Sequence, residues 1–304
     1  MILTVTLNLA LDVTYQVPGV PGVDWDGVNR VSSVHRRAGG KGVNVARVLA
    51  ALGQDVLVTG LAGGPTGQAV EDDLRSAGLP SALSRVAGDS RTTLAVSEHE
   101  GRTALFNEPG PEITPAELAA FLQHFESLVA AADAVVISGS LPRGVPLDVY
   151  ATLAAIAAER GVPAIVDADG EPLRHAPKGR PSVVKPNAEE LARAVPGGTP
   201  AEGAHELRSQ GAEAVVVSMG SDGLLAVTGE GTFRARMPYT VRGNPTGAGD
   251  SLVAGLALGL VEPAPWPERL RRAAALGAAA VAAPVAGDFD PDVYADIHPQ
   301  ITIT

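Results

Sequence analysis

A glycine-rich turn that carries one carboxylate precedes a long apolar stretch near the C-terminal end of the chain. Residues 246–250 read TGAGD, and a helical pattern of apolar residues follows at once. The small residues Gly247, Ala248 and Gly249 leave the backbone N–H groups of a first helical turn accessible to an anion, which the helix dipole favours. Asp250 stands where it could accept a proton from an attacking hydroxyl. Phosphoryl transfer needs both features, although such turns are common and the motif alone is weak.

A second glycine-rich turn, with a lysine inside it, precedes another helix-like segment. Residues 39–42 read GGKG, and Asn44 interrupts the apolar run that follows. The turn is not a Walker A loop, because no Ser or Thr follows Lys41 and the glycine spacing differs. It could be a flexible turn with a solvated lysine. A polar side chain on the first helical turn is better explained by a polar ligand, so we favour ligand binding here.

The segment 185–190, KPNAEE, follows a predicted buried strand. Asn187 and Glu190 have the spacing of a capping box, in which each side chain bonds the backbone N–H of the other residue. Alternatively, the Glu190 carboxylate could orient the water shell of a Mg²⁺ ion bound to phosphate. A helix cap can also face a binding site, so the spacing leaves both interpretations open.

Further positions could contact a ligand. Asp12 closes the first strand, where its carboxylate could hold sugar hydroxyls or simply form a turn. Arg30 and Arg91 are cations in an acidic protein and suit a phosphate, although surface arginines are common. Residues 218–223, SMGSDG, could approach a nucleotide or serve only as a turn between strands.

Composition limits the classes of protein to which the chain could belong. With 304 residues, 45% of them hydrophobic and only 4% aromatic, the core is expected to consist of Ala, Val and Leu. A net charge of −11 argues against nucleic acid or an anionic membrane as partner, and the lack of cysteine excludes disulfides.

The first residues lack the basic region of a signal peptide. The longest apolar run, 273–283, is too short to span a bilayer. We therefore expect a cytoplasmic protein.

Strand-like and helix-like segments alternate along the chain. The strand-like segments are nearly continuous apolar runs, such as 134–137 (AVVI) and 214–217 (AVVV). This pattern is typical of a parallel sheet that helices cover on both faces. Helix starts at Thr114 and Thr199 carry a capping box with proline at the first position. Strands are predicted over 2–7, 55–61, 133–138, 163–167, 182–185 and 213–218, and helices over 42–52, 66–77, 115–131 and 146–160.

Two stretches break this alternation and predict a lid. Residues 15–37 have no helical period, and residues 91–107 resemble a hairpin with strands over 92–97 and 102–106 and a turn near Glu100. Strands that leave a βαβ framework at two places could form a small sheet over one edge, although ordinary edge strands are the alternative. No linker or charge run divides the chain. We predict one α/β domain over 1–304, with a β lid from about 12–37 and 89–108.

The order of the motifs resembles that of the ribokinase-like, PfkB-type carbohydrate kinases. The resemblance covers almost the full chain, and four ordered motifs are specific where each one alone is not. Within the family, the sequence resembles the sugar-phosphate branch more specifically, above all the 1-phosphofructokinases. Tagatose-6-phosphate kinases and minor 6-phosphofructokinases are near neighbours. The family motifs are GGKGVNVA (39–46), SGSLP (138–142), KPNAEEL (185–191) and GAGD (247–250), and those of the branch are LNLALD (7–12), VNRV (28–31) and NEPGP (107–111).

The resemblance implies a Rossmann-type three-layer α/β/α sheet with a small β lid, MgATP as donor and a phosphorylated ketohexose as acceptor. It implies Asp250 as general base, with the backbone of Gly247, Ala248 and Gly249 as the anion hole. Lids of this type often pair between subunits, so a homodimer is expected. The implied substrate-binding residues are Asp12, Arg30, Gly39, Gly40, Lys41, Asn44, Arg91 and Ser140. The implied nucleotide-binding residues are Lys185, Asn187, Glu190, Ser218, Gly220, Gly223, Gly247 and Gly249, with Glu190 near the metal through water.

Three features depart from the family pattern. Residues 167–170 read DADG, where the family commonly has a segment such as Thr-Ser-Gly after the strand aspartate, so Asp169 makes a ligand contact there doubtful. Pro245 before the glycine turn is unusual and could stiffen it. The region after Ala278, which borders the adenine in such kinases, is too rich in alanine to assign contacts.

From the motifs and the family resemblance we predict ATP-dependent phosphorylation of fructose 1-phosphate at the 6-hydroxyl. Tagatose-6-phosphate kinase and 6-phosphofructokinase are the alternatives within the family. A catalytically silent regulator that binds sugar phosphates belongs to a different class, and the intact Asp250 argues against it. A nucleoside kinase of the same fold would leave the lid arginines without a purpose.

Overall fold

The computed structural model describes residues 1–18, 23–98, 103–262 and 264–304. Strands and helices alternate through most of these ranges. The strands are β1 (Ile2–Thr6), β2 (Ala10–Val17), β3 (Ser33–Gly39), β4 (Val56–Gly63), β5 (Ser81–Val86), β6 (Arg91–Glu98), β7 (Thr103–Asn107), β8 (Ala134–Ser138), β9 (Ala164–Asp167), β10 (Val183–Val184), β11 (Ala214–Ser218), β12 (Leu224–Val227), β13 (Thr232–Arg236) and β14 (Thr302–Ile303). The helices are α1 (Lys41–Ala51), α2 (Gly64–Ser76), α3 (Pro115–Val129), α4 (Val149–Glu159), α5 (Gly170–His175), α6 (Ala188–Ala194), α7 (Pro200–Ser209), α8 (Ala248–Val261), α9 (Trp266–Ala282) and α10 (Pro291–Ile297).

A large twisted sheet forms the centre of the molecule. Within the described ranges it has ten strands in the order β14-β13-β12-β11-β10-β9-β8-β1-β4-β5. In this order, the strands from β11 through β1 to β5 are parallel to one another. Strands β12, β13 and β14 extend the sheet in antiparallel fashion. The parallel part confirms the prediction from the apolar runs. Because parallel strands end at the same edge, residues that follow them meet there.

Helices cover both faces of the large sheet. Successive residues of β8, for example Val135 and Val136, pack into different apolar clusters on the two faces. One cluster includes residues of α1, α2, α8 and α9, and the other includes residues of α3, α4 and α7. This arrangement is the predicted three-layer α/β/α fold.

Local sequence signals predicted the starts of two helices correctly. Thr114 and Thr199 form the predicted capping boxes with Glu117 and Glu202. Helix α4, however, begins at Val149 and not at the predicted residue 146. The amide of Val149 donates to the carbonyl of Pro146 at 3.1 Å, so the first three residues form a turn before the helix.

A separate four-stranded sheet, in the order β3-β2-β6-β7 among the described residues, lies over the carboxyl ends of the parallel strands. Strands β2 and β6 are parallel, and each is flanked by an antiparallel neighbour. The predicted strands 92–97 and 102–106 correspond to β6 and β7. The predicted turn near Glu100 lies outside the described residues. We call this small sheet the lid.

No helix in the described part of the chain is long and apolar enough to cross a membrane.

Candidate active site

Most of the predicted site residues lie around a cavity between the lid and the carboxyl ends of the parallel strands. The cavity has a volume of about 760 Å³, and we call it the main cavity. Helix α1 contributes Lys41 and Asn44 and the lid contributes Arg91, while Asp250 comes from the first turn of α8. Residues more than 200 positions apart in sequence therefore share one space. The lining also includes the predicted residues Asp12, Gly40, Lys185, Asn187, Glu190, Ser218, Gly247 and Gly249.

Asp250 is a nearly buried carboxylate, with 7% of its surface exposed. Gly247 precedes it as the N-cap of α8, with a left-handed φ of 87°. A Cβ on Gly247 would lie 2.8 Å from the Cα of Ala286, so the turn requires glycine. The side-chain amide of Asn44 donates to Oδ2 of Asp250 at 2.8 Å.

Burial, reinforced by the negative charge of Asp167, raises the pKa of Asp250 from 3.8 to about 6. The ammonium groups of Lys41 and Lys185 and the Asn44 hydrogen bond limit the rise. At neutral pH Asp250 is therefore mostly ionised, yet much more basic than an ordinary aspartate. Both properties suit a general base.

The glycine turn offers free backbone donors next to this carboxylate. Within the described residues, the N–H groups of Gly249 and Asp250 have no protein acceptor. The N–H of Ala248, one of the predicted anion donors, donates to the carbonyl of Pro245 at 3.2 Å. In this geometry the N–H of Ala248 is engaged, while the N–H of Asp250, which was not among the predicted donors, is available.

Asp167 is a site residue to which we assigned no role from the sequence. It ends β9, is fully buried, and accepts from Ser138 Oγ at 3.2 Å. Lys185 Nζ lies 3.2 Å and Lys41 Nζ 3.4 Å from its carboxylate. Burial alone would raise the pKa of Asp167, but the two ammonium groups outweigh it and hold the pKa below its ordinary value. The same carboxylate raises the pKa of Lys41.

Because Lys41 and Lys185 both pair with Asp167, their ammonium groups are held in fixed positions within the site. A Cβ built on Gly249 would lie 3.7 Å from Lys185 Nζ, so this ammonium borders the glycine turn. Lys41 faces both the main cavity and an adjoining space. The position of Asp167 at the end of a buried strand was the available signal. The same signal was used for Asp12, but that prediction of its position was wrong, because β1 ends at Thr6 and Asp12 lies within lid strand β2.

A second large cavity, of about 580 Å³, lies on the other side of the glycine turn. The predicted nucleotide residues Ser218, Gly220 and Gly223 line it together with Gly249. Ser218 and Gly249 also line the main cavity, so the two cavities meet at the glycine turn. Most of the remaining lining residues are small or apolar, including Leu252, Ala274, Gly277, Ala278 and Val281.

Asn187 and Glu190 form the predicted capping box and also face the main cavity. Glu190 Oε2 accepts from the backbone N–H of Asn187 at 2.7 Å, and Asn187 Oδ1 accepts from the backbone N–H of Glu190 at 2.8 Å. Both side chains line the main cavity. The capping box is therefore confirmed, and a role of Glu190 near a metal ion stays a prediction.

The sugar side of the main cavity is formed where the lid meets α1. Asp12 pairs in register with Arg37 on β3 and with Thr93 on β6. Burial raises the pKa of Asp12, while the Thr93 hydrogen bond and the charge of Arg91 oppose the rise. A Cβ on Gly39 would collide with the Asp12 carboxyl, so glycine is needed for this close approach.

The remaining predicted residues lie outside the main cavity. Arg30 is exposed on the segment between β2 and β3, and Ser140 lines an adjoining space that also includes Lys41 and Arg91. Asp169 caps α5 and pairs with Arg193 at 2.9 Å, which gives it a structural role.

The family model for pfkB family carbohydrate kinases matches residues 9–292, which is most of the chain. The chain belongs to this family. The family's carbohydrate kinase description fits a site with two joined cavities, a buried carboxylate and several cations.

Solved structures similar to this pfkB family kinase include phosphofructokinases. Escherichia coli phosphofructokinase-2 in complex with potassium is 32% identical, with a TM-score of 0.89 over 98% of both chains. The same E. coli enzyme in complex with fructose-6-phosphate gives 31% identity and a TM-score of 0.85 over 98% of both chains. A possible 1-phosphofructokinase from Thermotoga maritima is 27% identical, with a TM-score of 0.89 over 100% of this kinase and 99% of that chain. The kinase is therefore a phosphotransferase that acts on a sugar hydroxyl.

Proposed function

We propose that this kinase transfers the γ-phosphoryl group of ATP to the 6-hydroxyl of fructose 1-phosphate, forming fructose 1,6-bisphosphate. The observation that carries the proposal is the position of Asp250. Its carboxylate lies where a cation-lined cavity meets a largely apolar one, next to free backbone N–H groups. A sugar phosphate fits the first cavity and a nucleotide the second.

Asp250 accepts the proton of the attacking hydroxyl in this mechanism. Asn44 holds its Oδ2 at 2.8 Å, which leaves Oδ1 for the substrate. With a pKa of about 6, the carboxylate is ionised before the reaction and basic enough to take the proton as the new bond forms.

Fixed positive charge and backbone donors stabilise the group in transfer. Lys185 borders the glycine turn, and Lys41 borders the acceptor cavity. Because Asp167 holds both ammonium groups, they need little reorganisation as negative charge develops. The N–H groups of Gly249 and Asp250 point from the helix start to the same region.

The residues present also fit Mg²⁺. This ion keeps several waters and is usually held by one or two carboxylates together with substrate phosphates. Glu190 supplies a mostly buried carboxylate on the cavity wall. The described ranges hold no cluster of three metal-binding side chains, which suits an ion held chiefly by the nucleotide. When bound, Mg²⁺ would neutralise charge on the ATP phosphates.

Two similarities support a phosphorylated ketohexose as acceptor and ATP as donor. The E. coli relative is complexed with fructose-6-phosphate. An Arabidopsis thaliana ribokinase, which shares the fold at 20% identity and a TM-score of 0.75 over 98% of both chains, is complexed with ribose and ATP. Fructose 1-phosphate is our first choice because residues 7–12, 28–31 and 107–111 resemble the 1-phosphofructokinase branch.

Fructose 6-phosphate is the second candidate acceptor, since the relative bound to it is more similar in sequence than the Thermotoga maritima protein. The test is release of ADP with fructose 1-phosphate, fructose 6-phosphate, tagatose 6-phosphate and unphosphorylated fructose. We expect the highest kcat/KM for fructose 1-phosphate. A clear preference for another phosphate ester would replace this acceptor, and no turnover with any of them would refute the proposed activity and favour a silent regulator.

We also propose a homodimer that pairs through the lid. Strand β7 is an exposed edge of the lid, with Leu105 and Phe106 each about half exposed. Trp25 and Val28, on the segment between β2 and β3, are 80% and 79% exposed. Large exposed apolar side chains on one element are typical of an interface. E. coli phosphofructokinase-2 has a tetrameric inhibited form, so assembly occurs among relatives.

The same assembly would give Arg30 a role. It is exposed near Trp25 and Val28 and outside the main cavity of its own chain. In a lid-paired dimer this segment could reach the acceptor site of a second copy. Light scattering should give the mass of a dimer, and Trp25→Ser should lower the dimer fraction. A monomeric wild-type protein at micromolar concentration would exclude the dimer.

A further inference from the structure

An ion pair joins the lid to a loop on the far side of the main cavity. Arg37 lies on lid strand β3, and its Nη2 is 3.1 Å from Oδ1 of Asp288. Asp288 belongs to residues 283–290, which connect α9 to α10, and we call this segment the support loop. The two side chains are 26% and 46% exposed, and a pair with such exposure contributes little to global stability. Its effect is therefore to be sought in the geometry that it sets.

The support loop packs against the groups that surround Asp250. A Cβ built on Gly247, the N-cap of α8, would lie 2.8 Å from the Cα of Ala286. A Cβ built on Gly287 would lie 3.1 Å from Oδ1 of Asn44, the residue whose amide holds Asp250. The loop is thus in close contact both with the glycine turn and with the partner of the carboxylate.

The lid end of the ion pair is held in place as well. Ala38, next to Arg37 in the chain, is fully buried, and its backbone N–H donates to Oδ2 of Asp73 on α2 at 2.7 Å. The same oxygen accepts from Nη2 of Arg47 on α1 at 2.6 Å. The backbone at Arg37 is therefore anchored to two helices, and its side chain extends to the support loop from a fixed base.

The acceptor and the base are held on opposite sides of this contact. Asp12, the predicted sugar-binding residue of the lid, is the neighbour of Arg37 in the register of β2 and β3. Asp250 lies on α8, which the support loop contacts. The distance between a hydroxyl held by the lid and the carboxylate of Asp250 therefore depends on how the lid is seated, and phosphoryl transfer is sensitive to that distance.

We propose that Arg37 and Asp288 are positioning residues for phosphoryl transfer, whose ion pair seats the lid at the separation from the glycine turn at which the acceptor hydroxyl reaches Asp250. The inference rests on the proposed function, because it uses the acceptor and the base assigned there. Asp288 is not among the residues that line the two large cavities, so it acts through Arg37.

The test is a double-mutant cycle of Arg37→Gln and Asp288→Asn. Each single change should lower kcat/KM for the preferred acceptor by about 3- to 5-fold and leave the KM for ATP unchanged. The loss should lie chiefly in kcat, because the acceptor still binds the lid while its hydroxyl is displaced from the base. Since the two residues act as one unit, the double variant should lose no more than the single variants, and Arg37→Lys should recover part of the loss.

Arg160→Gln is the matched control. Nη2 of Arg160, at the end of α4, pairs with Oε1 of Glu126 on α3 at 2.6 Å, and the two side chains are 41% and 52% exposed. This variant also loses an exposed ion pair between two elements, but neither residue lines the two large cavities. Its kcat and both KM values should equal those of the wild type.

Two kinetic results would overturn the inference. Arg37 itself lines the main cavity, and a direct contact with the acceptor would raise KM in Arg37→Gln while Asp288→Asn behaved as the wild type. Independent effects of the two residues would multiply in the double variant, to a loss of roughly 10- to 25-fold.

Hydrogen exchange separates the failure of the inference from that of the proposed function, because it needs no turnover. In Asp288→Asn the backbone amides of β2, β3 and β6 should exchange about 2- to 5-fold faster than in the wild type or in Arg160→Gln, with Tm within about 1 °C. Faster exchange in a protein that turns over none of the acceptors would support the seating of the lid and refute the proposed activity. Unchanged exchange would overturn the inference and leave the kinase proposal intact.

Discussion

Replacing Asp250 by Asn should make the folded protein more stable. The pKa of this carboxyl is 3.8 in an ordinary environment and about 6 in the folded chain. Each pKa unit corresponds to about 1.4 kcal/mol, so keeping Asp250 ionised costs the folded state about 3 kcal/mol at pH 7.5. Asn removes the charge and can still accept from Asn44. The observed gain should be about 1–3 kcal/mol, since the Asn amide replaces the neutral carboxyl group only imperfectly.

The sign of the effect fixes its dependence on pH. Because the folded pKa lies above the unfolded pKa, the contribution of Asp250 to stability is fully present below 3.8 and is lost as the pH rises through about 6. The advantage of Asp250→Asn should therefore be greatest above pH 7 and fall to about half by pH 5.

Differential scanning calorimetry measures this advantage directly. With an unfolding entropy of about 2.1 cal/mol/K per residue, 1–3 kcal/mol in a chain of this size raises Tm by about 2–5 °C. Asp169→Asn is a control, because Asp169 is exposed and paired with Arg193, so it should change Tm by less than about 1 °C. A lower Tm for Asp250→Asn at pH 7.5 would refute the reasoning.

The remaining predictions concern the same group of residues. The kcat/KM for the acceptor should fall as the pH drops through about 6, because Asp250 must be ionised to accept a proton; a profile that stays flat to pH 5 would argue against this base. Asp167→Asn should lower the free energy of unfolding by about 3 kcal/mol, since it leaves the buried ammonium of Lys185 without its partner; denaturant unfolding measures this, and an unchanged midpoint would contradict it. Arg91→Ala should raise the KM for the sugar phosphate by about 10-fold and leave the KM for ATP unchanged, and equal values in steady-state assays would remove Arg91 from the site.

The site residues that could be predicted from the sequence are those whose neighbouring residues already indicate their role. Asp250 and Lys41 follow glycine turns at helix starts, and the structure brings both to the main cavity. The covered parallel sheet followed from apolar runs such as residues 134–137. In each case the signal lies within a few neighbouring positions.

Features that depend on distant residues could not be predicted in this way. Asp167 matters because Lys185 and Lys41 converge on it, and Lys41 is 126 positions away. Asn8 likewise donates a hydrogen bond to Ser140, which lies 132 positions away.

The central claim is that Asp250 is the base of a sugar-phosphate kinase. The most direct measurement is the turnover of ATP with fructose 1-phosphate by wild-type protein and by Asp250→Asn, together with the Kd of each for ATP. We expect kcat to fall by about two to four decades in the variant while the Kd for ATP stays near that of the wild type. A variant that turns over as fast as the wild type would contradict the account.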